Sequence, residues 1–242
     1  MRRAWIIVGL AFLAGCVRVA PEPLVPQGPR PYQPAQTGPQ RTAEGLIDQP
    51  IDSGTKGRIT RVAGDLAQCT AELDAARVNF VPTPDQDNTE TCFLRDAGVL
   101  GPDMGTIARM TPAGSTTTCE LALAVSIWRR QSVEPAAREI LGSDVVQIDH
   151  FGTYACRPVN NQAGNRPSAH SRAAALDFGG VRLRDGRRIT VAGDWSADDD
   201  EARFLKRIRD DACRIFGTVL SPEYNSFHRD HLHLEPGGRL CS

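Results

Sequence analysis

The chain has 242 residues, 24% of them charged, a formal net charge of −1 and only 6% aromatic residues. Acidic and basic residues are interspersed, which excludes a nucleic-acid partner, because neutralising phosphates needs a concentrated basic face. The length suits one domain with its own core plus appended segments.

At the N-terminus, Arg2 and Arg3 precede an apolar stretch from Ala4 to Ala14. It is too short to cross a bilayer as a stable helix and predicts a cleaved signal peptide over residues 1–15. The stretch closes in Leu13-Ala14-Gly15-Cys16, which resembles a bacterial lipobox. The resemblance implies cleavage before Cys16 and lipidation of that cysteine; an ordinary secretory signal with an incidental Cys16 is the alternative. Acyl chains would tie the protein to a membrane without a transmembrane helix. The expected location is the periplasm, and Val17 in place of Asp favours the outer membrane.

The remaining cysteines are Cys69, Cys92, Cys119, Cys156, Cys213 and Cys241, an even number that suits an oxidising compartment. No pair has the CxxC spacing of a zinc ribbon or a thioredoxin-like site. Pairing of sequence neighbours predicts Cys69–Cys92, Cys119–Cys156 and Cys213–Cys241, each adding roughly 2–4 kcal/mol.

From the lipidated cysteine to about residue 56 the chain is proline-rich, with Pro21, Pro23, Pro26, Pro29, Pro31, Pro34, Pro39 and Pro50. Such a segment buries no core and reads as a flexible tether over 16–56, with a proline-rich recognition segment as the alternative. Residues 57–242 form the folded domain. A short helix or turn is expected over 69–79, an extended piece at Phe80-Val81-Pro82, and a polar loop over 85–91. Ser115 to Thr118 caps a helix from Cys119 to about Arg130, with Leu121, Val125 and Trp128 on its buried face. A second helix runs from Val133 to Leu141 and stops at Gly142. Residues 145–156 are β-rich and predict a strand. After a polar loop over 160–167 and a histidine motif, Ala174 to Leu183 reads as another strand. Asp185-Gly186 turns it into Ile189-Thr190-Val191. Ser196 caps a helix through about Phe216, with Phe204, Ile208, Ala212 and Ile215 as its buried stripe. The acidic run Asp198 to Glu201 is that helix's first turn, suiting the positive end of its dipole, rather than a calcium site. Strands at Thr218 to Leu220 and His231 to Glu235 complete an α+β domain: a small antiparallel sheet flanked by helices and stapled by disulfides.

Of only five histidines, three fall in two short motifs, Ser168-Ala169-His170 and His231-Leu232-His233, with Asp177 between them. His, Asp and His form a three-ligand zinc set that leaves a fourth position open, the pattern of a catalytic site. On a strand, alternation puts His231 and His233 on one face and Leu232 on the other. One imidazole can then bind metal while its neighbour serves as acid or base. Zinc held this way lowers the pKa of water to about 7 and polarises a carbonyl, which amide hydrolysis needs. His150 and His228 have no motif partner and read as structural or surface residues, His228 with a supporting role near His231 as the alternative. Trp128 and Trp195 read as core.

These motifs resemble the LAS group of zinc peptidases (lysostaphin, D-alanyl-D-alanine metallopeptidases and hedgehog). The stretch from about Cys69 onward resembles more closely the bacterial extensin-like C-terminal domain family. That likeness is carried by Thr153-Tyr154-Ala155-Cys156-Arg157, Ala175-Leu176-Asp177, Ala212-Cys213-Arg214 and Asp230-His231-Leu232-His233-Leu234-Glu235. It implies a LAS-like sheet carrying zinc on His170, Asp177 and His233. It implies His231 as acid/base or transition-state stabiliser, with Asp230 the competing general base. Arg157 is implied to bind a substrate carboxylate or carbonyl, and Ser168 to contact substrate or support the site. Two positions depart from the pattern: Ala173 stands where the peptidases have glycine, and Ala169 where the family often has an acidic residue. The expected function is a zinc-dependent envelope lipoprotein peptidase acting on peptidoglycan. The alternative is a non-catalytic, zinc-containing lipoprotein that binds cell wall or protein.

Overall fold

A computed structural model describes residues 45–242. The expected signal peptide, Cys16 and most of the expected tether lie outside the described residues. The tether's last stretch does not: Leu46 and Ile47 are buried in the core, within a 3-10 turn over Leu46–Asp48. The folded part therefore begins before residue 57. Two apolar side chains in an otherwise polar stretch suffice to dock it. Asp48 and the Ala76 carbonyl both take hydrogen bonds from Arg130, whose guanidinium also meets the fully buried Asp103 beside Arg129.

Helices α1 (Thr55–Ala63) and α2 (Leu66–Ala75) come first, α2 opening on Asp65, whose carboxylate accepts from the Ala67 and Gln68 amides. Strands β1 (Val78–Pro82), β2 (Gln86–Asp87), β3 (Phe93–Leu94), β4 (Ala97–Asp103), β5 (Arg109–Thr111) and β6 (Ser115–Thr118) follow. β1, β4 and β6 form a three-stranded sheet, and β2, inside the stretch expected as loop, pairs β3 just beyond it. Thr118 then caps α3 (Cys119–Trp128) by accepting from the Leu121 amide. The two expected helices are one unbroken helical run to Leu141. It contains α4 (Glu134–Ala136) between two π-helical turns, Arg129–Val133 and Ala137–Leu141. Pro135 has no amide hydrogen to give and would press its ring on the preceding turn; the widened turn before it absorbs both defects. Gly142 ends the run in the left-handed region, φ 66°.

Strands β7 (Val145–His150), β8 (Leu176–Leu183) and β9 (Arg188–Thr190) lead through α5 (Val191–Asp194) to α6 (Asp200–Ile215). Asp199, not Ser196, caps α6, accepting from the Ala202 amide at 2.9 Å. Phe204, Ile208, Ala212 and Ile215 are buried as their spacing predicts. Strands β10 (Thr218–Leu220), β11 (Leu232–Glu235) and β12 (Leu240–Cys241) finish a seven-stranded sheet in the order β12-β10-β11-β8-β7-β5, with β9 on β8. Most pairings are antiparallel, but β10–β12 and β5–β7 are parallel. Trp128 joins helices to sheet: it packs edge-on against Phe178 at 5.1 Å and donates from Nε1 to the Ile208 carbonyl at 2.8 Å. The fold is α+β as expected.

Three disulfides are present, Cys69–Cys119, Cys92–Cys156 and Cys213–Cys241. Only the last matches neighbour pairing. The β1-β4-β6 sheet returns the chain to α2, so Cys119 at the start of α3 meets Cys69. Cys92, on the β2–β3 hairpin, is left to reach Cys156. Sequence distance is a poor guide where a meander folds a segment back on itself.

Candidate metal centre

The predicted 145–156 strand ends at His150. The irregular segment after it holds the site together. The Phe151 amide donates to the Asp177 carbonyl, the Asp177 amide to Gly152, and the Ala155 amide to His170. His170 sits in a 3-10 turn, Ala169–Arg172, capped by Ser168, whose Oγ accepts from the His170 amide at 3.3 Å. Ser168 thus has a local task as well as a place in the cleft wall. Ala173 ends the turn with φ 54°. The left-handed conformation explains why glycine suits this position, and alanine there costs roughly 1–2 kcal/mol. Its buried methyl group packs in a small cluster with Leu94, Ala97 and Tyr154.

Asp177 on β8 and His233 on β11 are directly paired across the sheet. With His170 they bring three donor atoms together. His170 Nε2 lies 3.1 Å from Asp177 Oδ1 and 3.2 Å from His233 Nδ1, and His233 Nδ1 lies 2.9 Å from Asp177 Oδ1. The edge of a tetrahedron around zinc, with bonds of about 2.05 Å, is about 3.3 Å, so the spacing fits zinc after a small outward relaxation. The outer contacts orient the rings. His170 Nδ1 faces the Thr153 carbonyl at 3.2 Å, and His233 Nε2 faces Glu235 at 3.6 Å. Protons held there would leave a lone pair on each inward nitrogen once a cation displaced the protons that these nitrogens give to Asp177. Burial opposes charge on Asp177, but hydrogen bonds from His170 and His233 prevail and hold its carboxyl far below the usual range. Burial likewise opposes charge on His233; Asp177 and Glu235 outweigh it and lift the pKa to about 9. The donor set suits a cation.

His231 stands just before β11, not within it. Its Nε2 is nevertheless 3.5 Å from Asp177 Oδ1, while its Nδ1 meets Asp230 Oδ1 at 2.9 Å. Leu232 points the other way and is fully buried. The cleft around this centre has a volume of about 600 Å³, and Arg157, Ser168 and His231 line it together with the three donors. Arg157 makes one side-chain hydrogen bond, to the Pro158 carbonyl at 3.4 Å. Asp230 does not line the cleft; it reaches the site only through His231.

The cleft residues not singled out from sequence as site groups include Glu235, Tyr224, Arg166 and Arg239. His228, expected to be structural or surface, is buried in the cleft, with its ring 5.2 Å from His231 and 6.0 Å from His233. Burial, with the nearby His231 and His233, lowers its pKa to about 4. One signal was available for Glu235: it stands two residues after His233, on the same face of β11. His150 belongs elsewhere, its Nε2 donating to the Pro112 carbonyl at 2.8 Å.

The family described as "Extensin-like protein C-terminus" is matched over residues 67–242. Comparison with curated proteins and with solved structures returns no match.

Proposed function

We propose that this chain, which belongs to the extensin-like protein C-terminus family, is a zinc-dependent peptidase that hydrolyses amide bonds in the stem peptides or crosslinks of peptidoglycan. The observation that carries the reading is the convergence of His170 Nε2, Asp177 Oδ1 and His233 Nδ1 in one cleft, with a third imidazole, that of His231, beside them. Zinc bound to these atoms would act as a Lewis acid toward water and toward the scissile carbonyl. His231 would supply proton transfer: with its Nδ1–H held by Asp230, Nε2, 3.5 Å from Asp177 Oδ1, would take a proton from water and return it to the leaving amine. Asp230 is then a positioning residue rather than the base, because its carboxylate is committed to His231. The Arg157 guanidinium, exposed to the cleft, suits a substrate carboxylate or carbonyl.

The relation to LAS peptidases, the lipid anchor on Cys16 and the periplasmic location belong to the same proposal. Export and a tether direct a peptidase to the polymer outside the cell membrane. The test is metal content and muropeptide release by the purified protein. Wild type should bind about one zinc and release muropeptides. His231→Ala should keep the zinc and lose release by roughly 10²–10⁴-fold. Normal metal binding with no cleavage of any wall preparation would sink the peptidase reading and leave a zinc-containing binding domain.

A further inference from the structure

One wall of the cleft is a short ribbon from Arg157 to Ser168. The Ser168 amide donates to the Arg157 carbonyl at 3.1 Å and the Val159 amide to the Arg166 carbonyl at 2.9 Å. Pro158 bridges Pro167 between them. Alternation along such a ribbon puts Arg157, Val159, Arg166 and Ser168 on one face and the two prolines on the other. All four residues of the first face line the cleft. The ribbon is braced at both ends. At its root Cys156 is tied to Cys92. At its tip Asn160 and Asn161 take left-handed conformations, φ 56° and 55°, while Asn165 Nδ2 donates to the Val159 carbonyl at 2.9 Å.

Arg157 and Arg166 are therefore diagonal neighbours on one face, at a backbone spacing of roughly 7–8 Å. Among the described residues neither has a carboxylate within ion-pair distance, and Arg166 makes no side-chain hydrogen bond; Arg239, also in the cleft, is likewise unpaired with a carboxylate. The cleft's own carboxylates are engaged, Asp177 by three imidazoles and Glu235 by His233. A braced wall holding two adjacent cations with no counter-charge is built to receive an anion.

We propose that Arg166, together with Arg157, clamps a free carboxylate of the substrate, so that the cleft selects peptides ending in a carboxylate close to the scissile amide over capped or internal sequences. This rests on the peptidase reading and narrows it from endo- towards carboxypeptidase action. The guanidinium fork matches a carboxylate in two parallel hydrogen bonds, which an ammonium cannot reproduce.

The test is calorimetric binding of two probes, acetylated Lys-D-Ala-D-Ala as the free acid and as its C-terminal amide. It uses the full-length zinc-loaded chain carrying His231→Ala, so that the probes are not consumed. The acid should bind at least about tenfold more tightly than the amide. Arg166→Gln should bring the ratio to about one, and Arg166→Lys should restore part of it. Arg166 is exposed, so neither change threatens the fold. Equal affinity for acid and amide, an unchanged ratio in Arg166→Gln, or no binding of the acid at millimolar concentration would each overturn the clamp. Binding preference without any turnover by the parent chain would keep the clamp and remove the peptidase reading instead.

Discussion

Replacing His170 by alanine separates the metal centre from an ordinary buried polar cluster. His170 is 3% exposed, gives one nitrogen to the Thr153 carbonyl and turns the other to Asp177 and His233. Without metal, the substitution strips a partner from each of three buried groups, the Thr153 carbonyl, Asp177 and His233, and should cost about 1–3 kcal/mol of stability. With zinc at a hundred times its dissociation constant, wild type should gain about 2.7 kcal/mol, because the ion binds only the folded chain. For a domain of this size each kcal/mol moves the midpoint by roughly 2–4 °C, giving a rise of roughly 5–11 °C. Removing one of three ligands should weaken affinity at least about a hundredfold, since even outer partners of a ligand are worth 10–100-fold. At the same zinc concentration the gain then falls to about 0.4 kcal/mol, or about 1–2 °C. The assay is thermal unfolding with and without zinc, disulfides intact. His231→Ala, which removes no ligand, should keep most of the wild-type rise. A wild type indifferent to zinc, or a His170→Ala protein that responds as wild type does, would refute the assignment of the triad.

Peptide mapping of the unreduced protein should give Cys69–Cys119, Cys92–Cys156 and Cys213–Cys241; recovery of a Cys69–Cys92 peptide would contradict the fold around α2 and β1. The remaining prediction concerns pH. His150 is buried, its Nε2 proton is held by the Pro112 carbonyl with Ser115 Oγ at 3.3 Å, and its Nδ1 has no partner. Burial lowers its pKa despite the nearby charges of Asp149 and Asp177. A histidine with a lowered folded pKa binds fewer protons than the unfolded chain, so its contribution is complete above about pH 6.5 and is lost as pH falls below it. The slope can reach about 1.4 kcal/mol per pH unit. The difference between wild type and His150→Gln in urea unfolding of the metal-free protein should therefore shrink from pH 7.5 to pH 5. A difference that stays constant, or grows towards acid, would show that His150 is not held neutral.

Elements governed by local pattern were legible in the sequence. Phe204, Ile208, Ala212 and Ile215 recur at helical spacing, and α6 buries all four. The left-handed Gly142 ended its helix where expected, and β8 and β10 fell within the predicted stretches. What depended on the return path of the chain was not legible. The disulfide partners of Cys69 and Cys119 follow from the β1-β4-β6 meander, and nothing local to either cysteine specifies it. The same holds in the site. The sequence motif marked His170, Asp177 and His233, and the structure brings their donor atoms together. It did not mark Arg166 as a diagonal neighbour of Arg157, because that relation exists only once residues 157–168 fold back on themselves.

The strands that carry the donors also explain why the candidate metal centre has one geometry. On β8, Asp177 faces the cleft while Leu176 and Phe178 face the core; on β11, His233 and Glu235 face the cleft while Leu232 and Leu234 face the core. The paired residues of β10 continue the pattern: Leu220 lies beside His233 on the cleft side, and Val219 beside Leu234 in the core. A slip of one residue between β8 and β11 would turn a carboxylate or an imidazole into the apolar layer and push Phe178 or Leu232 into water. Each misplaced apolar side chain costs about 1.5–3 kcal/mol, and a buried unpaired charge costs more. The hydrophobic core therefore fixes the register that sets Asp177 opposite His233, without touching either one. Trp128 is part of that constraint although it lies in a helix, since its ring bears on Phe178, the residue next to Asp177. The alternation that buries the core also aims the donors at one point.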